Sequence, residues 1–267
     1  MTQPTTANVA VWSPPGAEGV PWLRALVTTR HGGTSPAPYD SLNLGLATGD
    51  DATRVAANRA RLCAALGLGD DRIVKLSQVH GTRVWGVPDA AAREGDGLWT
   101  AVPGPVLAIG VADCVPAFVW DVAVPRIALV HAGWRGTAAG ILGEAIAILR
   151  RAGSHAADLR CALGPSIGPC CYTVGPDVAA HFPTDAVRRE QAELQLDLWR
   201  ANQLQAEARG LEPEHVHSSP PCTACNREQF FSHRRDGPRT GRMWALAWIE
   251  PDRTTRPSGA RPPARAS

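Results

Sequence analysis

Three residues able to bind a metal stand where apolar segments of the sequence begin or end. His80 follows the segment "RIVKLSQV", Cys114 follows Asp113 between two apolar runs, and His131 ends "RIALVH". Two imidazoles and one thiolate suit zinc and other borderline transition metals. Three protein ligands leave one tetrahedral position open, which is typical of catalytic rather than structural metal sites.

The same residues also have a simpler interpretation. Cys114 could be a small buried side chain, and each histidine could be satisfied by its own neighbours. Cys114 lies 34 residues after His80 and 17 residues before His131, and no local motif joins ligands so far apart. The spacing alone therefore slightly favours ordinary packing.

Polar and glycine-rich segments supply candidate binding residues. In "HAGWRGTAAG" a strand passes through a glycine-rich turn into a helix, so free N–H groups and Arg135 could bind an anion, although a plain tight connection is an equal alternative. The segments 28–35, 41–45 and 230–237 are dense in polar side chains, and although such stretches are often solvated turns, they suggest recognition of a polar ring or sugar. The residues in question there are Arg30, Asn43, His233, Arg234 and Asp236.

Short strands and amphipathic helices must position these residues. Branched apolar content and flanking glycine, proline and aspartate predict strands at 24–29, 72–79, 82–87, 106–111, 115–120, 126–131, 159–163 and 242–249. Helices are predicted at about 51–66, with Asp51 as its cap, at 137–151 and at 185–209. The mixture lacks strict alternation, so we expect a layered α/β domain with a mixed sheet.

Composition limits the classes of function. The net charge is only +2, so we expect no nucleic-acid or anionic-membrane surface, and no apolar run approaches the roughly 18–20 residues of a membrane span. Seven cysteines without a visible export signal predict reduced thiols in a cytoplasm. We expect a poorly ordered lead-in at 1–20, one catalytic domain at 21–250 and a disordered basic tail at 251–267.

Two short signatures fail on their context. "GPSIG" at 164–168 matches a nucleophile elbow, but no helix can follow Ser166 directly, so a rigid loop is predicted. "PCTAC" at 221–225 matches half of a zinc deaminase signature whose other half is absent. Ligand types and spacing would also allow a structural zinc, with ordinary loop residues as the favoured alternative, at His215, His217, Cys222 and Cys225.

The motifs together resemble one known family. The motifs that carry the resemblance are "HGGTSPAPYDSLNLG", "QVHG", "ADCVP", "HAGWRGTAAGI", "GPSIGPCCYTVG", "LDLWRANQLQ" and "FFSHRRDGPRTGRM". In content and order they are similar to the laccase-domain family, whose members were first labelled polyphenol oxidases and later described as purine nucleoside phosphorylases. The resemblance runs from about Leu26 to Trp248.

The resemblance implies a fold, an activity and a site. The implied fold is a single three-layer α/β/α sandwich with a mixed β-sheet. The implied zinc ligands match His80, Cys114 and His131, which would also be catalytic. The implied reactions are phosphorolysis of adenosine, inosine and S-methyl-5′-thioadenosine to free base and ribose 1-phosphate, and deamination of adenosine. Substrate contacts are expected at Arg30, Asn43, Gln78, Arg135, His233 and Arg234.

Two other functions stay open at this point. A copper-dependent polyphenol oxidase would use Cu²⁺ at the same ligands, but eight histidines with one His-x-His pair cannot furnish a four-copper cluster. A binding protein with a purely structural metal is the third hypothesis. The expected partners are purine nucleosides and phosphate, and a homodimer is one candidate for the oligomeric state.

Overall fold

Short strands occupy the centre of the protein in the computed structural model, which describes residues 9–87, 89 and 93–251. The strands are β1 Val11–Trp12, β2 Leu23–Thr28, β3 Ile73–Lys75, β4 Val84–Gly86, β5 Gly97–Thr100, β6 Val106–Val111, β7 Val115–Asp121, β8 Ile127–Ala132, β9 Leu159–Leu163, β10 Thr173–Val174, β11 Val187–Glu190, β12 Glu193–Leu196, β13 Val216–His217 and β14 Met243–Ile249. The helices are α1 Ala52–Leu66, α2 Trp134–Ala138, α3 Ile141–Arg151, α4 Pro176–Ala179, α5 Leu198–Ala208 and α6 His233–Asp236.

The strands form two large mixed sheets and one small one. The first large sheet has the order β1-β2-β14-β6-β3, and the second has the order β13-β9-β7-β8-β5-β4. Each is antiparallel except for parallel pairs at the edges, β3 with β6 in one sheet and β4 with β5 and β13 with β9 in the other. The small sheet has the order β10-β12-β11.

Alternate residues of the central strands enter different hydrophobic cores. Leu107 and Ile109 of β6 face Phe118 and Trp120 of β7 in a core between the two large sheets. The intervening residues of β6 pack under α1, and those of β7 pack under α3 and α5. Because side chains of a strand alternate between its faces, strands buried on both faces carry continuous apolar runs.

The two large sheets stack between outer helices. The expected α/β class, the mixed pairing and the single domain are confirmed. The strand layer, however, is double, with α1 covering one sheet and α3 and α5 covering the other. A continuous apolar run does not reveal whether its second face meets a helix or another sheet, so the sequence could not distinguish these arrangements.

The predicted helices are only partly confirmed. Asp51 caps α1 as expected, and its side chain accepts a hydrogen bond from the Thr53 N–H at 2.7 Å. The helix expected at 137–151 is wrong in its first turn because the chain breaks at Gly140, where φ is +87°. That left-handed conformation favours glycine, so it separates α2 from α3.

The long helix expected at 185–209 is wrong in its first half. Residues 187–196 form the hairpin of β11 and β12, which turns at Gln191 with a φ of +53°. Helix α5 begins only after Asp197, whose carboxylate accepts a hydrogen bond from the Arg200 N–H at 2.9 Å. The charged residues of the hairpin favour helix by composition, but the antiparallel pairing of β11 with β12 overrides that local preference.

Residues 9–20 of the predicted lead-in are part of the ordered fold. Val9, Val11 and Val20 are buried, and β1 pairs with β2. Residues 1–8 and 252–267, which include nearly all of the predicted tail at 251–267, lie outside the described residues. Among the described residues, no helix has both the length and the apolar character needed to cross a lipid bilayer.

Candidate metal centre

His80, Cys114 and His131 converge although they are far apart in the sequence; we call them the histidine–cysteine centre. Cys114 immediately precedes β7, and His131 lies in β8 opposite Pro116 of β7. His80 reaches the same point from the loop after β3, with its ring centroid 4.9 Å from that of His131. One ligand atom from each residue lies within 4.8 Å of the other two. Antiparallel pairing of β7 and β8 thus creates the proximity that no local motif could supply.

One buried carboxylate, that of Asp96, orients two of the three residues. Its Oδ1 lies 2.9 Å from Nδ1 of His131, which leaves Nε2 as the ring nitrogen free to face the other ligands. The same carboxylate accepts hydrogen bonds from the N–H groups of Val79, His80 and Gly81, at 2.7–3.1 Å. His80 is held there with a φ of +60°. A carboxylate behind a metal-binding histidine is the usual arrangement in metal sites, because it sets the tautomer and the ring orientation.

Gly133 keeps space for the ligand atoms. A Cβ atom at this position would lie 2.9 Å from Sγ of Cys114 and 3.1 Å from Cδ2 of His80. Any other residue would therefore displace two of the three ligands. The glycine of "HAGW" is required here by close approach rather than by its backbone angles.

The electrostatics of the centre favour the thiolate that metals bind. Burial raises the pKa of the Cys114 thiol, but the neighbouring His131 and His80 outweigh that effect and lower it to about 6. Burial lowers the pKa of His131, but Cys114 and Asp96 outweigh the effect of burial and raise this pKa to about 9. Burial raises the pKa of Asp96, whereas its hydrogen bonds from His131 and the backbone hold the carboxyl below its ordinary value.

A cleft of about 290 Å³ opens beside the centre. Its wall combines aromatic and cationic side chains. Arg135 stacks on Trp134 with its guanidinium carbon 4.3 Å from the ring centroid, and Arg234 stacks on Tyr172 at 4.7 Å. The lining residues are His80, Ala112, Asp113, Cys114, Trp134, Arg135, Ile167, Tyr172, Leu198, His233 and Arg234. The cleft can therefore receive a flat, apolar ring together with an anion.

The structure divides the residues predicted to contact substrate into two sets. Arg135, His233 and Arg234 line the cleft. Arg30 instead lines a separate cleft of about 570 Å³ and pairs with Asp40 at 3.0 Å. The substrate role of all four residues stays a prediction.

Asn43 and Gln78 are engaged within the fold. Asn43 is completely buried, and its amide donates to Thr48 Oγ1 and Asp50 Oδ2, both at 2.9 Å. Gln78 binds both backbone groups of Gly110, at 2.7 Å and 2.9 Å. Asn43 thus supports the segment that leads to α1, and Gln78 ties the segment before His80 to β6. Their contact with substrate stays a prediction.

Sequence reasoning missed three residues of the site. Asp96 follows a glycine and precedes β5, so it resembles an ordinary turn residue. For Tyr172 and Trp134, the aromatic side chain was the only feature of the sequence that could have indicated a role in the site. Burial, the Cys114 thiolate and Asp113 raise the pKa of Tyr172 to about 12, although Arg234 and Arg135 oppose them, so the phenol remains a hydrogen-bond donor at neutral pH.

Ser166 lies in a loop, as predicted, and not on a nucleophile elbow. Its side chain is completely buried, donates to the Gly164 carbonyl at 3.0 Å and accepts from Trp199 Nε1 at 2.7 Å. The segment that follows is a short 3₁₀ turn at Pro169–Cys171 rather than an α-helix.

The structural zinc site that the sequence allowed at His215, His217, Cys222 and Cys225 is wrong, because the two histidines do not meet the two cysteines. Cys222 and Cys225 instead meet two other cysteines, Cys170 and Cys171, and the four Sγ atoms lie within 4.8 Å of one another. His217 lies in β13 beside Gly16 and Trp12. Pairing of β13 with β9 places the histidines at a different point of the sheet edge.

The fold and the centre together define a class of protein: a mixed α/β domain with a histidine–cysteine metal-type centre beside a basic, aromatic cleft. Residues 24–250 match the family model described as "Multi-copper polyphenol oxidoreductase laccase". The chain belongs to this family.

Relatives in bacteria carry the name of a different activity. The chain is 40% identical over 255 residues to "Purine nucleoside phosphorylase YlmD" of Geobacillus stearothermophilus, covering 88% of this chain and 91% of the relative. It is 40% identical over 242 residues to "Purine nucleoside phosphorylase" of Deinococcus radiodurans, covering 86% and 93%.

Solved structures share the fold. The crystal structure of YlmD from Geobacillus stearothermophilus superimposes with a TM-score of 0.86 at 37% identity, covering 94% of this chain and 99% of that one. That of the Bacillus licheniformis hypothetical protein YfiH gives a TM-score of 0.85 at 32% identity, covering 93% and 99%.

Proposed function

We propose that this protein is a zinc-dependent purine nucleoside phosphorylase. One observation carries the proposal: three metal-type ligands converge beside a cleft whose wall holds two aromatic-stacked arginines. The printed names of the relatives support an enzyme that acts on purine nucleosides. The family description supports metal-dependent chemistry without deciding between zinc and copper.

The donor set fits a divalent metal. His80, Cys114 and His131 would hold it, with Asp96 orienting His131 from behind. A zinc ion bound there would supply positive charge and Lewis acidity for the reaction. Three protein ligands would leave the tetrahedral set incomplete, as in catalytic sites, and His80 and Cys114 line the cleft.

The reaction needs groups for the base, the sugar and the phosphate. In phosphorolysis the C1′–N9 bond breaks, a phosphate oxygen bonds to C1′, and the electron pair leaves with the purine. Trp134 and Tyr172 offer ring faces to the base, while Arg135 and Arg234 offer guanidiniums to phosphate. A preformed cation pair stabilises the developing charge without reorganisation.

The departing purine must gain a proton. Asp113 is poorly suited to supply it, because its carboxylate accepts hydrogen bonds from Thr223 Oγ1 and the Arg234 N–H, each at 2.6 Å. Both of its oxygens act as acceptors, so it positions Arg234 and the adjacent Cys114. His233 is exposed and lines the cleft, so it is the group that we assign to move the proton.

Adenosine, inosine and S-methyl-5′-thioadenosine are the proposed substrates, with adenosine deamination as a second reaction. Deamination replaces the 6-amino group with oxygen from water and releases ammonia, so the same nucleoside would meet a different nucleophile in the same cleft. Copper-dependent oxidation of phenols is the alternative function. Among the described residues, the mixed histidine and cysteine ligands form one three-residue centre, too few for a four-copper cluster.

The test follows hypoxanthine release from inosine. The purified protein should release hypoxanthine only when inorganic phosphate is present, with equimolar ribose 1-phosphate. Equal release without phosphate would show hydrolysis, and no release of any purine base from the three nucleosides would overturn the proposal.

Matched variants test whether phosphate binds in the cleft. Arg234→Gln should raise KM for phosphate, because it removes the cation but keeps a polar side chain. Arg151→Gln changes an exposed arginine of α3, paired with Glu144 at 2.7 Å, and serves as the control. If both variants have the same effect on KM for phosphate, the phosphate site is wrongly placed.

A further inference from the structure

Four cysteines that the proposed reaction does not use meet at the surface of the domain; we call them the sulfur cluster. It consists of Cys170, Cys171, Cys222 and Cys225, whose Sγ atoms lie within 4.8 Å of one another. Cys225 Sγ lies 3.5 Å from that of Cys170 and 3.4 Å from that of Cys171. Two distant segments supply the four thiols, so tertiary folding creates the cluster.

The spacing of the sulfurs suits one tetrahedral ion. Zinc–sulfur bonds of about 2.3 Å place tetrahedral thiolates about 3.8 Å apart, within the observed range of separations. An iron–sulfur cluster puts several irons between its ligands and needs wider separations. Four thiolates also complete the coordination sphere of zinc, which is typical of a structural site.

The backbone around Cys222 is arranged like the support of a metal-bound thiolate. The Gly168 N–H donates to Cys222 Sγ at 3.2 Å. The Cys222 carbonyl accepts from the backbone N–H of Asn226 at 3.0 Å and from its side-chain amide at 2.8 Å, which closes the Cys-x-x-Cys turn. These bonds orient the turn and disperse negative charge on a sulfur.

The sulfur cluster joins two segments that form the cleft. Residues 166–171 lead to Tyr172, while Thr223 binds Asp113 at 2.6 Å. Arg235 donates to the carbonyls of Thr223 and Ala224, at 2.9 Å and 3.2 Å, next to Arg234. An ion at the sulfur cluster would therefore hold the segment of Tyr172 against the segment of Arg234, which stacks on its ring.

We propose that Cys170, Cys171, Cys222 and Cys225 bind a structural zinc ion that ties the segment before Tyr172 to the segment before Arg234. The ion has no open position and takes no part in the reaction. It is distinct from any metal at the histidine–cysteine centre.

Metal counting on the full-length, reduced protein tests the proposal without an activity assay. Wild-type protein should hold about two zinc ions per chain, and Cys114→Ala and Cys225→Ser should each hold about one. The double variant should hold none. Cys63→Ala, which changes a buried cysteine outside both sites, is the matched control and should keep the wild-type content.

Cobalt substitution reports the ligands even if Cys225→Ser fails to fold. Cys114→Ala protein loaded with Co²⁺ should show the intense sulfur-to-cobalt charge-transfer and tetrahedral ligand-field bands of a tetrathiolate. The proposal is overturned if this protein binds no Co²⁺, if its spectrum lacks sulfur ligation, or if the native metal of the site is iron. Loss of these four thiols to disulfides in freshly isolated protein would also overturn it.

Discussion

The two groups of metal-type ligands in this protein differ in donor set and surroundings. The histidine–cysteine centre has three ligands of two kinds beside a cleft, with a buried carboxylate behind it. The sulfur cluster has four ligands of one kind, and Cys170 and Cys225 are exposed at the surface. Three protein ligands beside a cavity are typical of a catalytic metal site. Four protein ligands between loops are typical of a structural metal site that joins those loops.

Removing one sulfur from each site should separate these roles most clearly. Cys114→Ala should lower kcat/KM for inosine phosphorolysis by about 1000-fold or more. The variant lacks one ligand of the metal, and a bound metal contributes several kcal/mol of charge stabilisation to the transition state. Circular dichroism should show an unchanged fold. Near-normal turnover in this variant would remove the histidine–cysteine centre from the mechanism.

Cys225→Ser provides the contrast. It should leave measurable turnover but lower the melting temperature, because the affected bonds join loops rather than contact substrate. A loss of kcat as large as that of Cys114→Ala, in protein that still melts cooperatively, would show that the two sites act as one.

The carboxylate behind His131 should matter for metal affinity. Asp96→Asn should weaken metal binding about 10–100-fold, because the amide neither favours the same histidine tautomer nor holds the loop at His80 as strongly. Competition with a chromogenic chelator measures the affinity. Asp40→Asn, at a surface ion pair with Arg30, should leave it unchanged, and an equal loss in both variants would contradict a specific role for Asp96.

Thr223 connects the two regions and should show the smallest effect on activity. Thr223→Val removes the 2.6 Å hydrogen bond to Asp113 with little change of shape, so the free energy of unfolding should fall by about 1.5–3 kcal/mol. Turnover should fall only severalfold, through displacement of Arg234. Urea denaturation measures the free energy of unfolding, and Thr173→Val, at an exposed threonine, is the control. Unchanged stability would show that Asp113 does not depend on this bond.

The sequence predicted the residues of the first region better than those of the second. His80, Cys114 and His131 stand beside strand ends, where side chains converge on ligands, and the family motifs contain all three. Cys222 and Cys225 were also identified, but their partners were sought among nearby histidines. Local spacing favoured His215 and His217, whereas loop packing brings in Cys170 and Cys171.

The sequence by itself determined the α/β class, the cap at Asp51, the chemical types of the site residues and the long strands β2, β6, β7, β8, β9 and β14. These features depend on local periodicity and on side-chain chemistry, which a sequence displays directly. The double strand layer, the carboxylate of Asp96 behind His131 and the meeting of four cysteines were decided only in the tertiary structure. Each depends on which distant segments pack together, and that choice is made by the burial of whole faces rather than by any local pattern.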